Sequence, residues 1–191
     1  MEFWDLYTKD RVKTGKTMIR GEKQPEGYYR MVVHVCILNQ KGEMLIQQRQ
    51  PFKKGWSNMW DITVGGSAVS GDTSQSAAER EVLEELGYPL SLENIRPSLT
   101  IHFEGGFDDV YIVERELDIE SLNLQYEEVQ TVKWASMEEI LEKIEDGSFI
   151  PYHKSFIELL FFMRDHRGMH TRQECNGKPD GEKNRRIDSS I

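Results

Sequence analysis

Residues 65–88 read GGSAVSGDTSQSAAEREVLEELGY, and this stretch constrains the fold more than any other. Two glycines follow the apolar run at 60–64, a polar loop comes next, and a helical pattern begins. Asp72 suits an N-cap, and Gln75 stands three residues on, as in a capping box. Gly87 suits the left-handed residue that closes a helix. The spacing therefore predicts a helix over 73–86. At about 100° per residue, Ala78, Val82 and Leu86 form one apolar stripe, and Glu81, Glu84 and Glu85 fill the arc beside it.

Three carboxylates on one helix edge repel one another, at about 0.2–0.5 kcal/mol per pair even in water. By themselves these residues fit a solvated acidic face. An edge that holds a divalent cation is the other reading, and all-oxygen ligands then point to Mg²⁺ or Mn²⁺ rather than Zn²⁺.

The glycines and the spacing resemble the Nudix box. That pattern is Gly, five residues, Glu, seven residues, Arg-Glu, apolar, any, Glu-Glu, any, Gly, apolar. Here it runs from Gly66 through Asp72 to Arg80-Glu81-Val82-Leu83-Glu84-Glu85-Leu86-Gly87-Tyr88. Asp72 replaces the family's glutamate, and Tyr88 fills the last apolar slot. The resemblance implies that Glu81, Glu84 and Glu85 hold metal and that Arg80 orients them. It also makes Asp72 the salt-bridge partner of Arg80. Asp is one methylene shorter than Glu, so a looser pair is expected.

The chain's 191 residues suit one domain with extensions. A net charge of −9 argues against a general binder of nucleic-acid backbones. Cys36 sits in an apolar run and Cys175 in a polar one, with no CxxC. A disulfide scaffold is not expected, and a reducing cytoplasm is the default compartment. The first residues carry no apolar signal core, and no run approaches the ~18 apolar residues of a membrane span. The partners expected are a phosphorylated small molecule and, at most, a second copy of the chain, with neither a nucleic-acid polymer nor a membrane.

In chain order, residues 3–7 and 16–20 are expected to pair as a hairpin around a turn at 10–15, forming an extension over 1–27. Strands are expected over 30–38, 43–49, 60–64, 99–103, 107–114 and 129–134. Short helices are expected over 137–145 and from Pro151 to about 165, the latter with Phe156, Leu159, Leu160 and Met163 on its apolar side. The domain then spans 28–166, and the polar stretch 167–191 reads as a mobile tail. This order suits an α/β fold, a Nudix-type α/β/α sandwich around a mixed sheet.

Other residues are candidates for chemistry. Glu127 and Glu128 precede a strand; Nudix enzymes often place a further metal ligand or general base in such a loop, and Glu128 is the preferred one. Arg30, Arg49 and Lys53 are candidates to hold substrate phosphates. His34 and His102 read as packed core histidines. Trp56 is a candidate pocket wall, and Trp60 a core residue.

The stretch QQRQPFKKGWSNMWDITVGG is also similar to isopentenyl-diphosphate isomerases, a Nudix branch with a like N-terminal extension. Where those isomerases carry a catalytic cysteine this chain has Gly65. Ser67 and Arg30 replace two isomerase histidines. The resemblance thus implies a Mg²⁺-dependent hydrolase of a diphosphate linkage. Its metal set is Glu81, Glu84, Glu85 and a backbone carbonyl near Gly65; Glu128 or a box carboxylate is the base. An isomerase and a non-catalytic nucleotide sensor are the alternatives.

Overall fold

The computed structural model describes residues 1–166. The tail expected over 167–191 lies outside the described residues. Strand β3 (Arg30–Leu38) is the centre of the domain. It pairs antiparallel with β6 (Val64–Ser67) and parallel with β8 (Gly106–Glu114), and β7 (Leu99–Phe103) adds antiparallel to β8. Strand β4 (Met44–Arg49) pairs antiparallel with β5 (Trp60–Asp61) and β9 (Val129–Ala135). Strands β3 and β4 share only the pair Leu38↔Met44, so the mixed sheet opens between them.

The run at 60–64, expected as one strand, is two. Asp61 pairs with Gln47 on β4, whereas Val64 pairs with Val35 on β3. The buried Thr63 makes the crossing possible. Its hydroxyl accepts from the Ile37 amide at 2.9 Å and donates to the Leu45 carbonyl, bonding to both strands that flank the opening. A buried backbone group without such a partner would be costly.

Period-two alternation on β3 assigns two cores. Met31, Val33, Val35 and Ile37 pack with Ala78, Val82 and Leu86 of helix α1 (Ser74–Leu86). Cys36 and Leu38 pack on the opposite side with Ile140 of α2 (Met137–Glu145) and Ile157 and Leu160 of α3 (Lys154–Asp165). Each fully buried aliphatic side chain is worth about 1.5–3 kcal/mol. The result is the α/β/α sandwich. No helix among the described residues is long and apolar enough to cross a membrane.

Helix α1 is capped by Thr73 rather than Asp72. Thr73 Oγ1 accepts from the Ser76 amide, and Ser76 Oγ accepts from the Thr73 amide. Asp72 is instead engaged with the Val69 amide and Arg80. Gly87 closes the helix at φ 66°, as expected. Helix α3 starts at Lys154, three residues after Pro151. Ile157, Leu160 and Met163 are its buried residues, and Leu159 is 39% exposed, so the buried face is rotated from the stripe read in the sequence.

Strands β1 (Phe3–Tyr7) and β2 (Lys13–Ile19) form a separate antiparallel pair. The turn between them is tighter than expected, because Arg11 takes a left-handed φ of 62° and β2 begins at Lys13. The hairpin is fastened to the loop before α1: the Ser70 amide donates to Phe3 O, and Asp5 accepts from Ser70 Oγ and the Gly71 amide. His102, expected in the core, lies exposed on β7.

Candidate active site

The two glycines of β6 face opposite sides of the sheet. Gly65 stands opposite His34 and Gly66 opposite Val33 in the antiparallel register. A Cβ on Gly66 would lie 2.1 Å from the Glu81 carboxyl carbon, and a Cβ on Gly65 would lie 2.5 Å from His34 Cδ2 and Nε2. Glycine leaves both side chains room for this close approach; a Cβ at either position would displace the side chain it meets. One glycine admits a carboxylate of α1, and the other admits an imidazole from β3.

On the α1 side, Arg80 is the hub. Its guanidinium donates to Asp72 Oδ2 at 3.1 Å, Glu81 Oε1 at 3.0 Å, Glu84 Oε2 at 3.2 Å and the Ser67 carbonyl at 3.1 Å. The shorter Asp72 therefore still reaches it. Burial disfavours the Arg80 charge, but Glu81 and Asp72 outweigh this and raise its pKa. Glu84 is half exposed at its side chain, whereas Glu85 is buried. Glu85 receives one side-chain hydrogen bond, from Gln47 Nε2 at 2.9 Å. Burial pushes its pKa up to about 8, with Glu81, Glu128 and Asp61 adding like charge. Burial also raises Glu81.

Among the described residues no three His, Cys, Asp or Glu side chains are grouped so as to hold a metal ion, and Glu81 and Glu84 are both engaged with Arg80. Glu128 forms an ion pair with Lys53, so that lysine is satisfied within the protein.

On the other side of β6 lies a pocket of about 550 Å³. Arg20, Arg30 and Arg49 line it, with Trp56 at 52% exposure on its wall. Arg30 lies 4.8 Å from the Trp4 ring centroid and 5.4 Å from that of Phe103, and donates to Ser67 Oγ at 3.1 Å. Its burial lowers its pKa, with Arg20 adding repulsion. Asp61 accepts from Tyr152 OH at 2.9 Å and sits 4.0 Å from Arg49; burial raises its pKa. Trp60 packs against the second core, as expected.

The pocket thus gathers Arg30 and Arg49 but not Lys53, and it adds residues the sequence did not point to. His34, Asp61, Tyr152 and Arg20 line it, and Asp108 stands behind His34. Alternation along β3 was a usable signal for His34, because Arg30, Val32 and His34 share one face. Nothing local marks Asp61 or Tyr152.

A model of the NUDIX domain matches residues 28–160. An uncharacterized Nudix hydrolase of Listeria monocytogenes is 46% identical over 170 residues, covering 89% of this chain and 99% of that protein. The isopentenyl-diphosphate delta-isomerase of Candida albicans is 28% identical over 67% of this chain and 59% of its own length. The crystal structure of DR0079 from Deinococcus radiodurans aligns with a TM-score of 0.64 at 24% identity, covering 83% of this chain and 97% of that one. With the NUDIX domain matched over 28–160, a relative 46% identical over nearly its whole length and the box spacing intact on α1, the chain belongs to the Nudix family and is a Nudix hydrolase.

Proposed function

We propose that the chain hydrolyses a diphosphate linkage joining a nucleoside diphosphate to another group, with Mg²⁺ or Mn²⁺ as cofactor. The observation that carries this reading is the buried Glu85 with the partly buried Glu81 beside it, both with pKa raised by burial, across β6 from a pocket lined by arginines. Glu85 has one neutral donor for a charge that burial disfavours. A cation is the natural complement to such a set, and its all-oxygen chemistry fits Mg²⁺ or Mn²⁺. Glu81, Glu84, Glu85 and the Gly65 carbonyl are the residues that would hold it. When bound, a divalent cation neutralises diphosphate charge and acidifies the attacking water.

The chain's own residues do the rest. Arg30 and Arg49 bind and orient phosphate oxygens as fixed positive charges. Arg80 holds the carboxylate edge in register through Asp72 and Ser67. Glu128 or a box carboxylate accepts the proton of water as its oxygen bonds to phosphorus, and the bridging P–O bond breaks. Lys53 holds Glu128 in place rather than binding substrate directly.

We place the chain in the isomerase-like branch without the isomerase's thiol, acting in the cytoplasm. Interconversion of isopentenyl and dimethylallyl diphosphate is the alternative, and Gly65 disfavours it. The space that a side chain at 65 would enter is occupied by His34. A panel of diphosphates with Mg²⁺, followed by ³¹P and ¹H NMR, separates the readings. Cleavage of a phosphate bond supports the hydrolase; double-bond migration, or binding with no turnover, refutes it.

A further inference from the structure

His34 was expected to be a packed core histidine, and its surroundings do not match that description. A structural histidine in a closed network has both ring nitrogens and their partners satisfied. Here Nδ1 lies 2.7 Å from Asp108 Oδ2, and both side chains are 19% exposed. Among the described residues Nε2 has no hydrogen-bond partner, and His34 is one of the residues lining the pocket. The second oxygen of Asp108, Oδ1, is buried with no partner, which is costly for a fully structural pair.

The neighbouring backbone is built around this ring. Gly65, directly opposite His34 in the register, leaves the volume the imidazole occupies; a Cβ there would sit 2.5 Å from Nε2. Asp108, opposite Val32 on the parallel strand β8, fixes the ring from behind. An acidic partner on Nδ1 that orients the imidazole and leaves Nε2 forward is the arrangement that prepares a histidine to work on a ligand. The same wall carries Arg30, whose guanidinium has no carboxylate partner among the described residues and donates only to Ser67 Oγ.

We propose that His34 is a substrate-contacting residue of this hydrolase, its Nε2 meeting a phosphate group of the bound diphosphate while Asp108 holds the ring in place. This rests on the diphosphate reading above. It adds a contact on the pocket face of β6, opposite the carboxylate face, so that the substrate is gripped from both sides of the glycine pair.

The test is ¹⁵N NMR of protein labelled in the histidine rings, titrated with methylenediphosphonate, which cannot be hydrolysed, in chelator and again with Mg²⁺. The His34 Nε2 resonance, assigned by its loss in His34→Gln, is expected to move and saturate with the ligand. Saturable binding that leaves Nε2 unmoved, or no saturable binding in either condition, overturns the proposal.

In turnover, His34→Ala is expected to lower kcat/KM by about 10- to 100-fold, the size of one lost charge-assisted hydrogen bond. His34→Gln is expected to recover most of this, because its amide N–H extends along the same direction. Asp108→Asn is expected to fall between them. Wild-type kcat/KM in His34→Ala overturns the proposal. Failure of the metal reading appears separately, as turnover that is insensitive to chelator, and leaves the metal-free titration able to decide the role of His34.

Discussion

Replacing Glu85 by Gln isolates the electrostatic cost built into the helix edge. Burial pushes the Glu85 carboxyl up to about 8 in the folded chain, against 4.5 for an ordinary glutamate. Folding raises this pKa, so the group's contribution to stability is present in full below pH 4.5 and is lost as pH climbs through 8. At pH 7 the unfolded chain ionises this carboxyl while the folded chain keeps it largely protonated. The difference costs the metal-free protein about 3 kcal/mol. Gln is neutral at every pH and escapes that cost. Its amide can also donate to Gln47 Oε1, which is buried with no partner. In chelator, Glu85→Gln is therefore expected to melt roughly 6–12 °C above wild type at pH 7, taking about 2–4 °C per kcal/mol for a chain of this size. At pH 5 the gap should shrink to roughly a quarter of that, since the residual cost there is under about 1 kcal/mol. Added Mg²⁺ should raise the wild-type melting temperature and leave the variant unmoved, and turnover should be largely lost. Calorimetric melts of both proteins at the two pH values, with and without metal, make the measurement. A gap of the same size at pH 5 and pH 7, or a variant less stable than wild type at pH 7, would refute the reasoning.

Three further outcomes follow from the geometry. Arg80→Lys replaces a fork that serves four acceptors with a single ammonium group, so turnover is expected to fall at least about 10-fold with little change in melting temperature, and steady-state kinetics beside a melt will show it. Gly66→Ala drives a methyl into the Glu81 carboxyl group and is expected to destabilise by about 1–3 kcal/mol and to impair hydrolysis; denaturant unfolding that matches wild type would contradict it. Gly65→Cys is expected to displace His34 and slow hydrolysis without installing isomerisation, since a thiol alone lacks partners to position it, and NMR of labelled isopentenyl diphosphate will report any double-bond migration.

The helix edge was legible in the sequence because helical geometry depends on near neighbours. The spacing of Glu81, Glu84 and Glu85, the glycine closing α1, and the alternation along β3 all follow from dihedral regularity over a few residues. The glycine pair marked a close approach, though not what approaches. Which carboxylate is buried could not be read, because it depends on Gln47 arriving from β4 to cover Glu85 while Glu84 stays half exposed. The break between β5 and β6 depends on Thr63 finding partners on two separate strands. The cap moved from Asp72 to Thr73 because Arg80 and the Val69 amide claim Asp72. The pocket was the least legible part. Arg20, His34, Asp61 and Tyr152 come from four distant segments, and each alone has an ordinary local context. Local rules decide which residues share a face of one element. Only the packing of elements decides what that face meets, how dry the contact is and what charge it can carry.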